Sequence, residues 1–140
     1  MRGRAFLHTA RRLSAGQTEA DWRTAAGRAY YALLLEGRDT LQRWGFIAAR
    51  RDQLHAFVRL RFSFAADPDL KQVGDALEKL NKLRNAADYQ IQHSGRFSDS
   101  QEATQAFHES GVAITVLDQI DADPTRQAAA IAAIQKAFPP

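Results

Sequence analysis

The chain contains no cysteine and a single methionine among its 140 residues. Without a thiol it can build no disulfide framework, no thiolate metal site and no cysteine nucleophile, and it is compatible with a reducing compartment. Proline is scarce, at four residues, and glycine numbers eight, so little in the chain interrupts long helices. Long hydrophobic runs are missing too. The longest, seven residues at 29–35 and again at 128–134, fall far short of the ~20 apolar residues that cross a bilayer. No secretory h-region is present, and the expectation is a soluble, cytoplasmic protein with no membrane partner. Residues 1–17 hold four arginines and no acid, which superficially suits an organellar targeting peptide. Phe6, Ala10 and Leu13 recur at helical spacing, however, and the segment is read as the first helix of the fold.

What is present reads as one domain. The length fits the ~100–200 residues usual for a single domain. Hydrophobic residues make up 45% and charged residues 25%, proportions that support a packed core. The net charge is +3, but it is unevenly spread. Through Arg61 there are twelve arginines and five acids, whereas the remainder holds seven basic and eleven acidic groups. Arginine supplies 15 of the 19 cations, and its planar fork suits phosphate better than lysine's point charge does. A polyanionic partner fits this bias. A solvated, arginine-rich surface on an ordinary soluble domain fits it equally well.

Apolar periodicity divides the chain into helices. Residues 18–44 place Glu19 and Asp21 where a helix start favours acids, and Trp22, Ala26, Ala29, Tyr30, Leu33, Leu34 and Leu41 form a buried stripe. Gly45 is placed to stop this helix. A third helix over residues 53–64 presents Leu54, Phe57, Val58 and Leu60 on one side. Asp67-Pro68 then opens a fourth, with Asp67 as N-cap and proline at the first helical position. The spacing Ser98, Gln101, Glu102 predicts a capped start for a fifth helix, which carries Ala103, Phe107, Ile114, Leu117 and Ile120. Residues 125–138 form an alanine-rich final helix, which either packs across the bundle or serves as a partner-binding tail. No strand pattern of useful length occurs. The expected fold is an all-α, up-and-down bundle of four to six helices over residues 1–122 with a helical extension at 123–140.

Several chemistries are set aside by what the sequence does not contain. There is no Walker sequence, no Gly-x-Gly-x-x-Gly and no His-Glu-x-x-His. The histidines at 8, 55, 93 and 108 fall on four different predicted segments, so neither a metal nor a cofactor is expected. His55 and His108 are read as surface or helix-packing residues. No spacing singles out a pair of catalytic carboxylates.

One stretch stands apart. Leu70, Val73, Leu77 and Leu80 mark the buried side of the fourth helix, and the same rhythm continues to Arg84, Ala87 and Ile91. A stripe that should face a partner helix therefore runs into an arginine, with Asp88 one turn further on. Burying such charges without partners costs several kcal/mol, on the order expected for isolated ions, so a charge in a seam is paired or lines a cleft or subunit junction. Two readings are open. Arg84 and Asp88 lock the helix into the bundle with Tyr89 as a core aromatic, or they belong to a polar cleft that clamps a phosphodiester.

The motifs Gly27-Arg28-Ala29-Tyr30-Tyr31-Ala32-Leu33, His55 before Val58 and Phe62, and Leu80-x-x-Leu83-Arg84-x-x-Ala87-Asp88-Tyr89 resemble the HEPN domain (higher eukaryotes and prokaryotes nucleotide-binding). The likeness is to its bacterial branch marked by Arg-Ala-Tyr-Tyr and Arg-x-x-Ala-Asp-Tyr, and it spans about residues 5–120. The resemblance implies a dimerising helical bundle. In many members it also implies a metal-independent ribonuclease acting as a toxin or defence effector, neutralised by a nucleotidyltransferase-fold partner. Catalytic members follow the arginine after four to six residues with a histidine, and both subunits build one composite cleft. Arg84 and Asn85 match the start of that pattern. The histidine position does not match, for the first histidine after Arg84 is His93.

Histidine suits removal of the 2′-hydroxyl proton or protonation of the leaving 5′-oxygen, and arginine suits the charge of the phosphorane. An unbroken helix would turn Arg84 and His93 onto opposite faces, at about 100° per residue. They can cooperate only if the helix ends after Tyr89 and the chain turns back, or if His93 comes from a second subunit. In this reading Arg84 binds phosphate, Asn85 orients it, Asp88 and Tyr89 hold Arg84, and His93 is the acid or base. Arg28 and Tyr31 reach the fourth helix as scaffold. The competing expectations are a non-catalytic module that dimerises or grips a nucleotidyltransferase-like partner through the same seam, and small-nucleotide binding without turnover.

Overall fold

A computed structural model describes residues 2–48, 53–92 and 95–140. Six helices follow one another: α1 (Gly3–Ser14), α2 (Glu19–Arg43), α3 (Leu54–Phe64), α4 (Pro68–Tyr89), α5 (Gln101–Asp121) and α6 (Pro124–Ala137). No strand occurs among the described residues. The all-α bundle expected from the periodicity is the architecture that forms.

The long α2 is the hub, packed against α1, α3, α4 and α5. Its start is capped by Thr18, whose side chain accepts from the Asp21 N–H at 3.1 Å, and Glu19 and Asp21 lie in the first turn beside the positive helix end. Ala25, Ala26, Ala29 and Ala32 are fully buried. Side chains this small let neighbouring helices approach α2 from several directions, while Leu33, Leu34 and Leu41 fill the wider gaps. Gly45 ends the helix with φ +94°. The Phe46 N–H then returns to the Leu41 carbonyl at 2.8 Å and the Gly45 N–H to Gln42 at 3.1 Å, the two bonds of a Schellman stop.

The α4 start forms as its sequence predicts. Pro68 occupies the first turn and the Asp67 carboxylate accepts from the N–H groups of Asp69 and Leu70 at 3.0 and 3.1 Å. The same oxygen takes a 2.8 Å bond from Arg126 of α6. Burial pushes the Asp67 carboxyl pKa up, but Arg126 and the two N–H donors outweigh it and hold the group below its ordinary value. The α5 start differs from expectation. Ser100 caps it without a side-chain bond, and Asp99 accepts from the Gln101 N–H at 2.9 Å. Within the bundle, the buried Ser110 hydroxyl of α5 donates to the Ala29 carbonyl of α2 at 2.8 Å.

The final helix joins the same core. Ala130 and Ile134 are fully buried, Asp123 caps the start through the N–H groups of Thr125 and Arg126, and the Arg61 guanidinium lies 3.7 Å from the Phe57 ring centroid and 4.6 Å from that of Phe138. At the other end of the α4 stripe the helix stops short of its apolar rhythm. It ends at Tyr89, and Ile91 is 69% exposed.

The closest approach of α3 and α4 is set by Gly74. A Cβ there would lie 2.8 Å from both the backbone N and Cα of Ser63, atoms that cannot swing aside. Gly74→Ala gains helix propensity of about 1 kcal/mol but must push the two helices apart, an overpacking cost of ~1–3 kcal/mol or more. The expected outcome is a net loss of roughly 1–2 kcal/mol, read as a lower urea midpoint at unchanged slope.

Candidate functional site

Arg84 lies on the buried side of α4 and points at α2. Its side chain is only 16% exposed. One terminal nitrogen donates to the Asn81 side-chain oxygen at 3.0 Å, a turn back on the same helix. The other comes to 3.5 Å from the Tyr31 hydroxyl, the outer limit of a hydrogen bond, and 3.9 Å from an Asp88 carboxylate oxygen. The Nε–H is buried and has no partner among the described residues. Above and beside the cation lie the rings of Tyr30 and Tyr31, with centroids 5.3 and 5.6 Å from the guanidinium carbon. Two aromatic faces thus offset part of the desolvation. The nearest carboxylate does little, because Asp88 is 45% exposed and water screens so loose a pair.

A histidine completes this group. The Tyr30 hydroxyl and His55 Nδ1 are 2.6 Å apart, and their rings stack at 5.6 Å with Tyr31 edge-on to His55 at 6.1 Å. Burial, reinforced by the Arg84 charge, holds the His55 pKa below its ordinary value. Burial also drives the Tyr30 phenol up to about 12, against the opposing pull of Arg84. Both groups are therefore neutral near pH 7, with the Arg84 charge beside them. His55 does serve in helix packing, as its sequence position suggests, but it also sits in the field of Arg84. Nothing in the linear spacing of α3 announces that contact, which depends on α2 bringing Tyr30 and Tyr31 between α3 and α4.

The other residues singled out by sequence fall around this core in different ways. Tyr31 reaches α4, but its contact there is Arg84. Arg28 lies over the Phe6 ring of α1 at 5.1 Å and makes no bond to Asp88 or Tyr89. Tyr89 is 75% exposed, so the holding of Arg84 falls to Asn81 and the two tyrosines. Asn85 is exposed on the flank of α4. His93 lies outside the described residues, although α4 does end at Tyr89, the early ending that any contact with Arg84 from the same chain requires.

Sequence reasoning overlooked Arg23. From α2 it donates to the carbonyls of Ala86 and Ala87 at 3.2 and 2.9 Å and of Gln90 at 3.2 Å. It thereby satisfies the Ala87 carbonyl left open at the α4 terminus and adds a second bond to the Ala86 carbonyl, which already accepts the Gln90 N–H, at the end of the helix one turn beyond Arg84. Its guanidinium also lies 4.8 Å from the buried Phe97 ring.

The larger cavities lie elsewhere. One of about 390 Å³ is lined by residues including Arg38, Phe46 and Phe57, one of about 370 Å³ by Asp75, Lys79 and Val112, and one of about 490 Å³ by Leu7, Phe107 and Asp118. Arg84 lines none of them, so within one chain it occupies a surface seam. No cluster of three or more histidines and carboxylates with metal-binding geometry forms among the described residues, and no described helix is long and apolar enough to cross a membrane. No family model, curated protein or solved structure matches the chain.

The lowered His55 pKa has a defined consequence for stability. The unfolded chain takes up the imidazole proton near pH 6.5, before the folded protein does, so folding is favoured above that value. The contribution is lost as the pH falls from about 6.5 toward the lower folded pKa. His55→Gln should flatten the stability profile between about pH 7 and 5, while the acid-range loss from Asp67 remains. Denaturant melts across this range check it; an equally steep profile in the variant would contradict the assignment.

Proposed function

We propose that the protein is a HEPN-like component of a toxin–antitoxin or defence system, a homodimeric, metal-independent endoribonuclease whose composite cleft is built around Arg84. A nucleotidyltransferase-fold antitoxin is its neutralising partner. The observation that carries this reading is the incompletely answered cation. Arg84 is four-fifths buried or more, and among the described residues its closest carboxylate is 3.9 Å away and half exposed and its Nε–H has no acceptor. A phosphodiester supplies the missing negative charge and matches the guanidinium fork.

The roles follow from the chemistry. Arg84 binds the phosphate and stabilises the charge of the phosphorane, Asn85 orients the non-bridging oxygens, and Asp88, Tyr31 and Arg28 support the seam with Tyr89 at its rim. The 2′-oxygen attacks phosphorus, its proton goes to a base, and the bond to the 5′-oxygen breaks as that oxygen takes a proton from an acid, leaving a 2′,3′-cyclic phosphate and a 5′-hydroxyl. His93 is the acid or base. A second copy of the chain closes the cleft that the single chain leaves open. That same openness favours a second reading. Because Arg84 lines a seam and no described cavity, the surface can instead be a non-catalytic module that dimerises, grips a nucleotidyltransferase-like partner or holds a nucleotide.

Single-stranded RNA incubated with the protein and a chelator should yield cyclic-phosphate ends. Arg84→Gln should slow this by about 10²–10³-fold, the effect of removing one preorganised charge-stabilising donor, and His93→Ala should abolish it. Retained cleavage in both variants overturns the site. A wild-type protein that never cuts RNA yet co-purifies with a neighbouring gene product places it with the interaction modules. Sedimentation at micromolar concentration should show a dimer; a strict monomer contradicts the composite cleft.

A further inference from the structure

The Arg84 seam does not stop at α4. Arg28 lies over Phe6 at 5.1 Å, the Phe6 and Tyr31 rings are 6.4 Å apart, and Tyr31 is 5.6 Å from the Arg84 guanidinium. Cation, ring, ring and cation thus alternate across three helices. On the α3 side, Arg59 is one helical turn from His55 and close enough to Tyr30 to act on its phenol electrostatically. Phe6, Arg28, Tyr31 and Arg59 are each partly exposed, and the Phe6 and Tyr31 rings pack against the core. Arg28 and Arg59 form no ion pair among the described residues, and Arg84 has only the loosely placed Asp88 at 3.9 Å.

We propose that this row is a binding track for unpaired RNA, in which Phe6 and Tyr31 offer stacking surfaces to bases while Arg28 and Arg59 hold the phosphates on either side of the one at Arg84. The proposal rests on the reading that RNA is the ligand of Arg84 and adds the footprint of that strand on α1, α2 and α3. A continuous aromatic and guanidinium surface suits splayed bases, which stack on such groups whatever their identity. An A-form duplex hides its base faces in the stack and leaves backbone, 2′-hydroxyls and base edges, none of which can stack on an aromatic ring. That Arg28 and Arg59 carry no ion pair among the described residues matters equally, since a salt-bridged arginine would have to exchange one anion for another.

The test uses a fluorescein-labelled 2′-O-methyl oligouridylate of about twelve nucleotides, within the site sizes common for single-strand binders, because the methyl group blocks cleavage and isolates binding. The full-length protein should bind it at least about tenfold more tightly than a duplex of the same length. Arg28→Gln with Arg59→Gln should weaken binding about tenfold and flatten the logarithmic salt dependence by about 1.4, from a loss of ~0.7 per phosphate contact on single strands. Phe6→Leu, which keeps apolar volume but removes the ring, should weaken it by about tenfold with little change in salt slope. Lys136→Gln on α6 is the charge control and should bind as wild type. Circular dichroism melts confirm that each variant is folded. Equal affinity for duplex and single strand, or wild-type binding by the Arg28/Arg59 and Phe6 variants while Arg84→Gln loses it, overturns the track alone. Undiminished binding by Arg84→Gln overturns the RNA reading of the seam itself, and absence of binding by the wild type overturns both.

Discussion

A guanidinium placed between two packed helices is the constraint around which this part of the bundle is organised. Removed from water, it needs compensation that its surroundings provide only in part. Asn81 accepts one hydrogen bond, Tyr30 and Tyr31 turn ring faces toward it, and Asp88 stands at the edge of ion-pair distance. Each of these partners is in turn held. Tyr30 is locked by its bond to His55 and Tyr31 packs against Phe6. The cation therefore sits on rigid elements, which is the condition under which a binding group is preorganised for an incoming anion.

The rigidity comes from α2. Its alanine-lined surface lets four helices pack around it, and polar contacts fix their register. Ser110 of α5 bonds to the Ala29 carbonyl, Arg23 terminates α4, and the Arg4 backbone N–H of α1 donates to Glu36 at 3.1 Å. These contacts bring Tyr30 and Tyr31 under Arg84 and place His55 against them. The Arg126 bonds to Asp67 and Asp69 do similar work at the far end, tying α6 to the start of α4. The C-terminal helix thereby closes over the bundle, with Ala130 and Ile134 sharing its core.

Helix order, the α4 N-cap and the interruption of the α4 stripe were legible in the residues, because each depends on spacing within one segment. Thr18 and Asp67 cap the helices they precede, and Gly45 stops α2 by adopting a positive φ. The partners of Arg84 were only partly legible. Asp88 suggested itself as the holding group because it lies one turn away, yet the closer contacts come from Asn81 on the other side and from α2. The capping of α4 by Arg23 was not legible at all, since it joins groups more than sixty positions apart.

By itself, then, the sequence determined that the chain is helical, where most helices begin and end, and that a cation occupies a position suited to an apolar side chain. These properties follow from local propensity, capping chemistry and the 3.6-residue period, all of which act over a few neighbouring residues. Only the tertiary structure decided what surrounds that cation, that His55 is neutralised beside it, and that Phe6 and Arg28 extend its surface. Those outcomes depend on interhelical packing and on desolvation, which arise once α1, α2, α3 and α4 share one interior and which no single helix encodes.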